Sequence, residues 1–148
     1  MTEENKPVLA EEEKTLLLSS DLILNVLVDY ANKFSVEIGI TLFVQGSILS
    51  GLLIGEKAYF EGLSNHIKTP GLFGKDFQQL IALLQSLGTS SPGNQEEQNQ
   101  LENIEFIHLK NAKFYSGNCL VPSDRGTYWR GRLRRVDGFS LGQLGPRY

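Results

Sequence analysis

Arginine is the residue type whose spacing in this sequence most clearly points to chemistry. The candidate partner-binding residues are Arg125, Tyr128, Arg130, Arg132, Arg134 and Arg135. On a β-strand, where successive side chains alternate, Arg130, Arg132 and Arg134 would share one face and Trp129 would point from the other face into the core. Guanidinium groups spaced about 7 Å apart can bind carboxylates of a protein or phosphates of a nucleic acid.

Three interpretations of this basic face are open. A solvated strand face needs no partner and is the commonest role of such charges. Binding of an acidic protein partner is the second interpretation. Binding of nucleic acid is the third and least favoured, because nucleic-acid binders usually add exposed aromatic platforms and a basic domain, whereas this chain has a formal net charge of -3.

Acidic residues are concentrated at the opposite end of the chain. Glutamates occupy positions 3, 4, 11, 12 and 13. They can pair with the arginines of the same molecule or of a neighbouring copy, which would favour self-association, or they form a solubilising tail that contacts nothing. Pairing of this kind is sensitive to salt.

No pattern of an enzyme or a metal site is present in the sequence. The two histidines, His66 and His108, lie at ligand spacing from no other His, Cys or carboxylate pair. A nucleophile elbow, a phosphate-binding loop and a dinucleotide-binding glycine pattern are also absent. We therefore predict a non-enzymatic protein without a cofactor, in which Cys119 is an inert thiol.

The composition predicts one globular domain in the cytoplasm. Of 148 residues, 41% are hydrophobic and 21% are charged, which is near the globular average. A single cysteine favours a reducing compartment. The acidic N-terminus lacks the features of a secretory signal. The longest apolar stretch, 22–28, is interrupted by Asn25 and is too short to cross a membrane.

The first half of the chain predicts two helices around a β-hairpin. Residues at helical spacing predict a helix over 20–33, with Ser20 and Asp21 at its start; they are Ile23, Val26, Leu27, Tyr30 and Phe34. Alternation over 36–44 and the apolar run 48–54 predict a hairpin, in which Gly39 and Gly51 mark bends or close backbone approaches. The segment 56–68 suits a helix or a strand, and we favour a helix.

The second half predicts another helix, a strand and a closing hairpin. Apolar repeats predict a helix over 75–87, and the polar composition of 89–103 predicts a flexible insertion. A strand is expected over 104–115 and a loop over 116–126. The turn-favouring pair Asp137-Gly138 predicts a hairpin between 127–136 and 139–144.

These elements predict an α+β fold. We expect an antiparallel sheet of about five strands from two hairpins and the strand at 104–115, packed against an N-terminal helix and an inserted helical segment. Residues 20–144 would form the domain, between an acidic flexible tail at 1–19 and a short tail at 145–148. A small, strongly bent barrel like that of Sm proteins is the alternative architecture, and it carries the alternative function of a ring-forming nucleic-acid binder.

Several blocks of the sequence together resemble the GvpU family of gas vesicle accessory proteins. They lie at 37–42, 50–54, 59–60, 106–115, 128–132 and 136–142. The resemblance extends over residues 20–144. The chain departs from the family pattern in its longer acidic N-terminus and in its short C-terminus at 145–148, where a basic, Ser-rich tail is expected.

The resemblance implies a cytoplasmic protein without enzymatic activity that associates with gas vesicles. It implies binding to shell proteins or other vesicle proteins and a role in vesicle clustering. Combined with the charge pattern, it leads us to expect a homo-oligomer that binds its vesicle partner through the arginines and does not insert into a membrane.

Overall fold

A computed structural model describes residues 21–69, 71, 73–74, 76–89, 104–122 and 124–145 of the chain. In these ranges there are three α-helices and six β-strands. The elements are α1 (Leu22–Phe34), β1 (Ile38–Val44), β2 (Ser47–Ile54), α2 (Glu56–Ile67), α3 (Gln78–Thr89), β3 (Phe106–Ser116), β4 (Cys119–Val121), β5 (Thr127–Arg132) and β6 (Gly138–Leu141). The predicted α+β class is confirmed. Within these ranges, no helix has the length and apolar character needed to cross a membrane.

All strand pairs in the sheet are antiparallel. The strand order is β4-β3-β2-β1-β6, and β5 also pairs with β3. Because β2 occupies one side of β3, both β4 and β5 lie on its other side. The described strands form an open sheet, so the alternative of a closed barrel is wrong.

The hairpin β1–β2 is confirmed and is the centre of the sheet. Its turn residues, Gln45 and Gly46, both have positive φ, 49° and 79°, as a type I′ turn requires. The Gln45 amide donates a hydrogen bond of 2.7 Å to Oδ2 of Asp137. That bond fastens the turn to the start of β6.

A bulge in β3 bends the sheet. The register of β3 shifts against both of its long neighbours, β2 and β5, and Asn111 at this point has a φ of 51°. A Cβ at Gly51 would lie 2.9 Å from the carbonyl oxygen of Lys110, and one at Gly126 would overlap the backbone of Asn111. The close approach predicted for Gly51 is therefore confirmed, and Gly126 is a second one.

The main core lies between α1 and one face of the sheet. Its fully buried members are Leu24, Val28, Ala31, Ile40, Leu42, Leu49, Leu53, Ile107, Leu109, Ala112 and Leu133. The alternating positions of β1 and β2 supply four of them, as period-two patterning predicts. Trp129 and Phe139 are partly buried against this core.

Helix α1 begins at a well-formed cap. Oδ1 of Asp21 accepts hydrogen bonds from the amides of Ile23 and Leu24, at 2.9 Å and 3.2 Å. The helix ends at Ser35, which is left-handed with a φ of 51° and donates its amide to the Ala31 carbonyl. The predicted helix and the role of Asp21 are confirmed.

The face of α1 that is buried differs from the one that the apolar spacing suggested. Ile23, Val26, Tyr30 and Phe34 are exposed, although they carried the helical pattern. The side chains that pack against the sheet are instead those of Leu24, Val28 and Ala31. Helix α1 is thus apolar on two sides and is covered on only one of them by described residues.

A second, smaller cluster joins the α2–α3 pair to the other face of the sheet. Buried Ile54, Tyr59, Phe60 and Leu84 form it, with Leu63, Ile67 and Tyr128 partly buried around them. The helix that we favoured over 56–68 is confirmed as α2. The helix predicted over 75–87 is also present, and it extends to Thr89.

The predicted closing hairpin is wrong. A 3-10 turn, Leu133–Arg135, separates β5 from β6, and the two strands pair with β3 and β1 respectively. Two backbone hydrogen bonds direct this split: the Leu133 amide donates to Glu105 and the Asp137 amide to Phe43, at 2.9 Å and 2.8 Å. The loop predicted over 116–126 also contains the short strand β4.

The predicted tails and insertion fall mostly outside the described residues. The tail at 1–19, the insertion at 90–103 and residues 146–148 are all in undescribed parts of the chain. Of the two described boundary residues, Thr89 ends α3 and Gly145 follows a segment that crosses the sheet. In that segment the Leu144 amide donates to Oγ of Ser50, at 2.7 Å, and the Gly142 carbonyl accepts from Oγ1 of Thr41, at 2.8 Å.

Candidate functional site

Strand β5 brings three of the predicted site residues, Tyr128, Arg130 and Arg132, to one face of the sheet. Arg130 and Arg132 are two positions apart on this strand, so they share a face. In the pairing of β5 with β3, Arg130 is opposite His108 and Arg132 is opposite Phe106. This face is the one that α2 and α3 partly cover, on the side away from the main core.

The guanidinium of Arg130 is held in place by aromatic rings. It lies 4.0 Å from the centroid of the Phe106 ring and 5.5 Å from that of Phe60. Such a cation–π contact at an exposed site contributes about 0.5–1 kcal/mol. Arg130 is therefore both an exposed charge and part of the packing between β5 and α2.

Arg134 does not continue the row of arginines along the strand. It lies with Arg135 on the 3-10 turn after β5, where Leu133 enters the main core and both arginines are exposed. The prediction that Arg130, Arg132 and Arg134 share a strand face is therefore wrong for Arg134. The strand supplies one pair of arginines and the turn supplies another, next to it in the chain.

Arg125 lies in the bend that connects β4 to β5 and is exposed. We use the name arginine surface for Arg125, Arg130, Arg132, Arg134 and Arg135. The ion pairs Asp29–Lys33 and Glu37–Lys110 do not involve these arginines.

Trp129 points to the opposite side of β5 and packs against the main core, as predicted. Its indole folds over the neighbouring Gly131, where a Cβ would overlap the ring. Leu133, which follows, is fully buried. This inward face fixes β5 so that Arg130 and Arg132 must point the other way.

Tyr128 is partly buried and attaches α2 to the sheet. Its ring centroid lies 6.0 Å from that of Tyr59 and 5.6 Å from that of His66. A Cβ at Gly62 of α2 would overlap the Tyr128 ring. The glycine therefore allows a close packing of helix and strand, and the predicted contact of Tyr128 with a partner stays a prediction.

His108 is the most unusual titratable group near the arginine surface. It is only 2% exposed, and its Nε2 has no hydrogen-bond partner among the described residues. Burial, and then the charge of Arg130, lower the pKa of His108 to about 3. Burial also raises the pKa of Tyr59, whose ring lies 4.6 Å from the imidazole. The imidazole is thus neutral at physiological pH.

The described residues contain no group of three or more His, Cys, Asp or Glu side chains placed to hold a metal ion. Cys119 is exposed on β4, a strand within the loop predicted over 116–126. Its predicted inertness stays a prediction.

Two exposed apolar surfaces on helices were not predicted from the sequence. We call Leu22, Ile23, Val26, Tyr30 and Phe34 the α1 stripe, and Leu80, Leu83 and Leu87 the α3 stripe; all eight are exposed. Helical spacing of these residues was visible in the sequence. The spacing predicts that a helix forms, but it does not predict which face of the helix packs against the sheet or the neighbouring helix, since both helices have apolar residues on more than one side.

Comparison with known proteins gives one match. The family model described as gas vesicle protein GvpU-like matches residues 21–144. No curated protein matches the chain. No solved structure matches it either. The matched range contains all three helices, all six strands and the whole arginine surface. The chain therefore belongs to the GvpU-like family of gas vesicle proteins.

Proposed function

We propose that this chain is a non-enzymatic, cytoplasmic accessory protein of gas vesicles that binds shell proteins or other vesicle proteins through the arginine surface. It also associates with itself, and in this way it promotes the assembly or clustering of vesicles. The observation that carries the proposal is the family match over residues 21–144. The arginine surface supports it as a site with the right chemistry.

An acidic protein surface is the partner that suits these arginines. Each guanidinium presents a planar set of donors that matches a carboxylate with two parallel hydrogen bonds. Arg130 is held by two aromatic rings, so less conformational entropy is lost when it binds. Arg132 shares the strand face with Arg130, and Arg134 and Arg135 are further exposed positive charges on the turn that follows β5.

A protein partner suits the surface better than nucleic acid does. Single-stranded nucleic acids bind where bases can stack on free aromatic faces. Of the rings next to Arg130, that of Phe106 is covered by the guanidinium, and Phe60 and Tyr128 belong to the second cluster. The net charge of -3 also gives no general attraction to phosphates.

Vesicle binding tests the proposal directly. Arg132→Glu with Arg134→Glu reverses two exposed charges of the arginine surface and leaves the stacked Arg130 in place. Lys57→Glu with Lys68→Glu is the matched control, because both lysines are exposed on or after α2. Co-flotation of each full-length variant with purified vesicles is measured at low and at physiological salt.

We expect the arginine variant to lose most of its vesicle binding and the lysine variant to keep it. Binding of the natural sequence should weaken as salt increases, since exposed charges are screened. Equal binding by both variants would exclude the arginine surface. Retention of single-stranded RNA at low salt, lost in the arginine variant, would instead favour the nucleic-acid alternative.

The acidic N-terminus is the natural candidate for the self-association part of this function. Its five glutamates at 3, 4 and 11–13 match the arginine surface in chemistry. A variant with these glutamates changed to glutamine should show weaker, less salt-sensitive clustering of vesicles. Unchanged clustering would show that the glutamates are not the partner of the arginines.

A further inference from the structure

The α1 stripe is a continuous apolar surface with no cover from described residues. The exposed fractions of its side chains are 53% for Leu22, 65% for Ile23, 49% for Val26, 48% for Tyr30 and 63% for Phe34. The rings of Tyr30 and Phe34 stack with centroids 4.7 Å apart. The apolar face of a helix is normally packed against another element. Single exposed apolar residues need no explanation, but five on one helix face do.

We infer that the α1 stripe is the contact between two copies of this chain, which pair through antiparallel α1 helices about a two-fold axis. Four of the stripe residues, Leu22, Val26, Tyr30 and Phe34, are spaced by four and are symmetric about the level of Val28. In an antiparallel pair centred there, Leu22 faces Phe34 of the second copy and Val26 faces Tyr30. Each contact then joins an aliphatic side chain to a ring, and the surface is self-complementary, as a two-fold interface requires.

The charges next to the stripe favour the antiparallel arrangement. Asp21 caps the N-terminus of α1. Lys33 lies in its last turn; its side chain is 64% exposed and forms an ion pair of 3.0 Å with Asp29 of the same helix. Antiparallel pairing brings Lys33 of one copy within about one turn of Asp21 of the other. Parallel pairing would place like charges and like helix-dipole ends together, which is unfavourable.

The size of the stripe indicates a dimer that depends on concentration. Five side chains about half exposed offer on the order of 400–500 Å² per copy, compared with about 800 Å² per partner in a standard interface. The contact is thus at the lower end of specific interfaces. We expect an equilibrium between monomer and dimer, with more dimer where copies are crowded together.

The α3 stripe does not have the same properties. Helix α3, Gln78–Thr89, contains no charged residue, so nothing in it fixes the orientation of a partner helix. Leu80, Leu83 and Leu87 are comparably exposed. They therefore provide a matched control, in which the same apolar-to-charged changes are made on a helix that is not expected to pair.

Sedimentation velocity of the full chain over a wide concentration range tests the inference. We expect the natural sequence to shift from monomer to dimer as concentration rises. Val26→Glu with Tyr30→Glu should weaken dimer formation at least tenfold, and Leu83→Glu with Leu87→Glu should leave it unchanged. Circular dichroism of each variant confirms that the fold is kept, since all four side chains are exposed.

Engineered cysteines test the orientation. In a Cys119→Ser background, a mixture of the Leu22→Cys and Phe34→Cys proteins should form the mixed disulfide dimer rapidly. Leu22→Cys alone should not, because an antiparallel pair separates the two positions by about 18 Å along the helix axis. Rapid cross-linking of Leu22→Cys with itself would overturn the antiparallel arrangement.

Three other results would overturn the inference itself. One is a natural sequence that stays monomeric at every concentration. Another is dimerisation that the Val26→Glu, Tyr30→Glu variant does not weaken. The third is a monomer that dimerises only after removal of residues 1–20, which would show that this segment covers the stripe.

The inference deepens the self-association part of the proposed function, but the arginine variants leave the α1 stripe intact, so the two proposals can fail separately.

Discussion

Arg130 and His108 lie directly opposite each other on neighbouring strands, and their side chains share a face of the sheet. One is an exposed permanent cation stacked on Phe106, and the other is a buried imidazole with an unpartnered Nε2. Burial and the adjacent guanidinium both oppose protonation of the imidazole. The exposed cation of Arg130 therefore lies beside a histidine that the folded protein keeps neutral.

We predict that this histidine makes the fold sensitive to acid. The pKa of His108 is about 3 in the folded chain and about 6.5 in an unfolded one. Between these values the unfolded state binds a proton that the folded state does not, so the stability due to His108 is present above pH 6.5 and is lost as the pH falls. The loss should reach about 2 kcal/mol between pH 7 and pH 5.

The measurement is the free energy of unfolding in urea at pH 7 and pH 5. His108→Phe keeps a ring next to Tyr59 and Phe60 but removes the titrating group, so its pH dependence should be smaller by this amount. His66→Phe is the control, because it removes the other histidine and leaves His108 in place. A pH dependence that is the same for His108→Phe and the natural sequence would contradict the assignment.

The central hairpin and the helices could be predicted because their signals are local. Alternation along 36–44 already separates the two faces of β1, and the Gln45-Gly46 turn follows directly. Asp21 is a good cap whatever the rest of the chain does. These features need only neighbouring residues, and the structure contains all of them.

The closing hairpin predicted from the sequence is wrong because its two strands pair with distant strands and not with each other. Asp137-Gly138 has the composition of a tight turn, yet the Asp137 amide bonds to Phe43 and the Leu133 amide to Glu105. Burial of Leu133 in the main core takes the chain off the strand before Arg134. Long-range pairing thus overrides the local turn preference, and it also divides the predicted row of arginines.

We predict that Gly126→Ala destabilises the fold by about 3 kcal/mol or more, because the new Cβ would overlap backbone atoms of Asn111, which cannot rotate away as the end of a flexible side chain can. Gly138→Ala is the matched control. There a Cβ would meet only the ring of Phe43, at an ordinary 3.9 Å. Urea unfolding of both variants measures the difference, and similar small effects at the two glycines would show that β5 does not approach the β3 bulge so closely.

We predict that Arg130→Ala lowers the free energy of unfolding by about 1 kcal/mol, since it removes the stacking on Phe106 and the packing of the side-chain stem. Arg132→Ala on the same face should change it by less than about 0.5 kcal/mol. Thermal unfolding of the two variants makes the comparison. An Arg132→Ala effect as large as that of Arg130→Ala would be inconsistent with a special role for the stacked side chain.

We predict that Asp21→Ala costs about 1 kcal/mol, because two amides at the start of α1 lose their acceptor. Asp21→Asn retains a side-chain oxygen at the cap and should cost only a few tenths of this. Hydrogen exchange at the amides of Ile23 and Leu24 gives the local measurement. Faster exchange in the alanine variant alone is expected, and equal exchange in all three proteins would rule out the cap.

The position of β5 at an edge of an open sheet has a consequence for aggregation. Unpaired backbone groups on an edge strand invite other chains to add to the sheet, and charged side chains there act as gatekeepers against fibril formation. Arg130 and Arg132 occupy this position on β5. Replacing them with apolar residues would expose the edge to misassembly, whereas glutamate preserves the protection while reversing the sign of the charge.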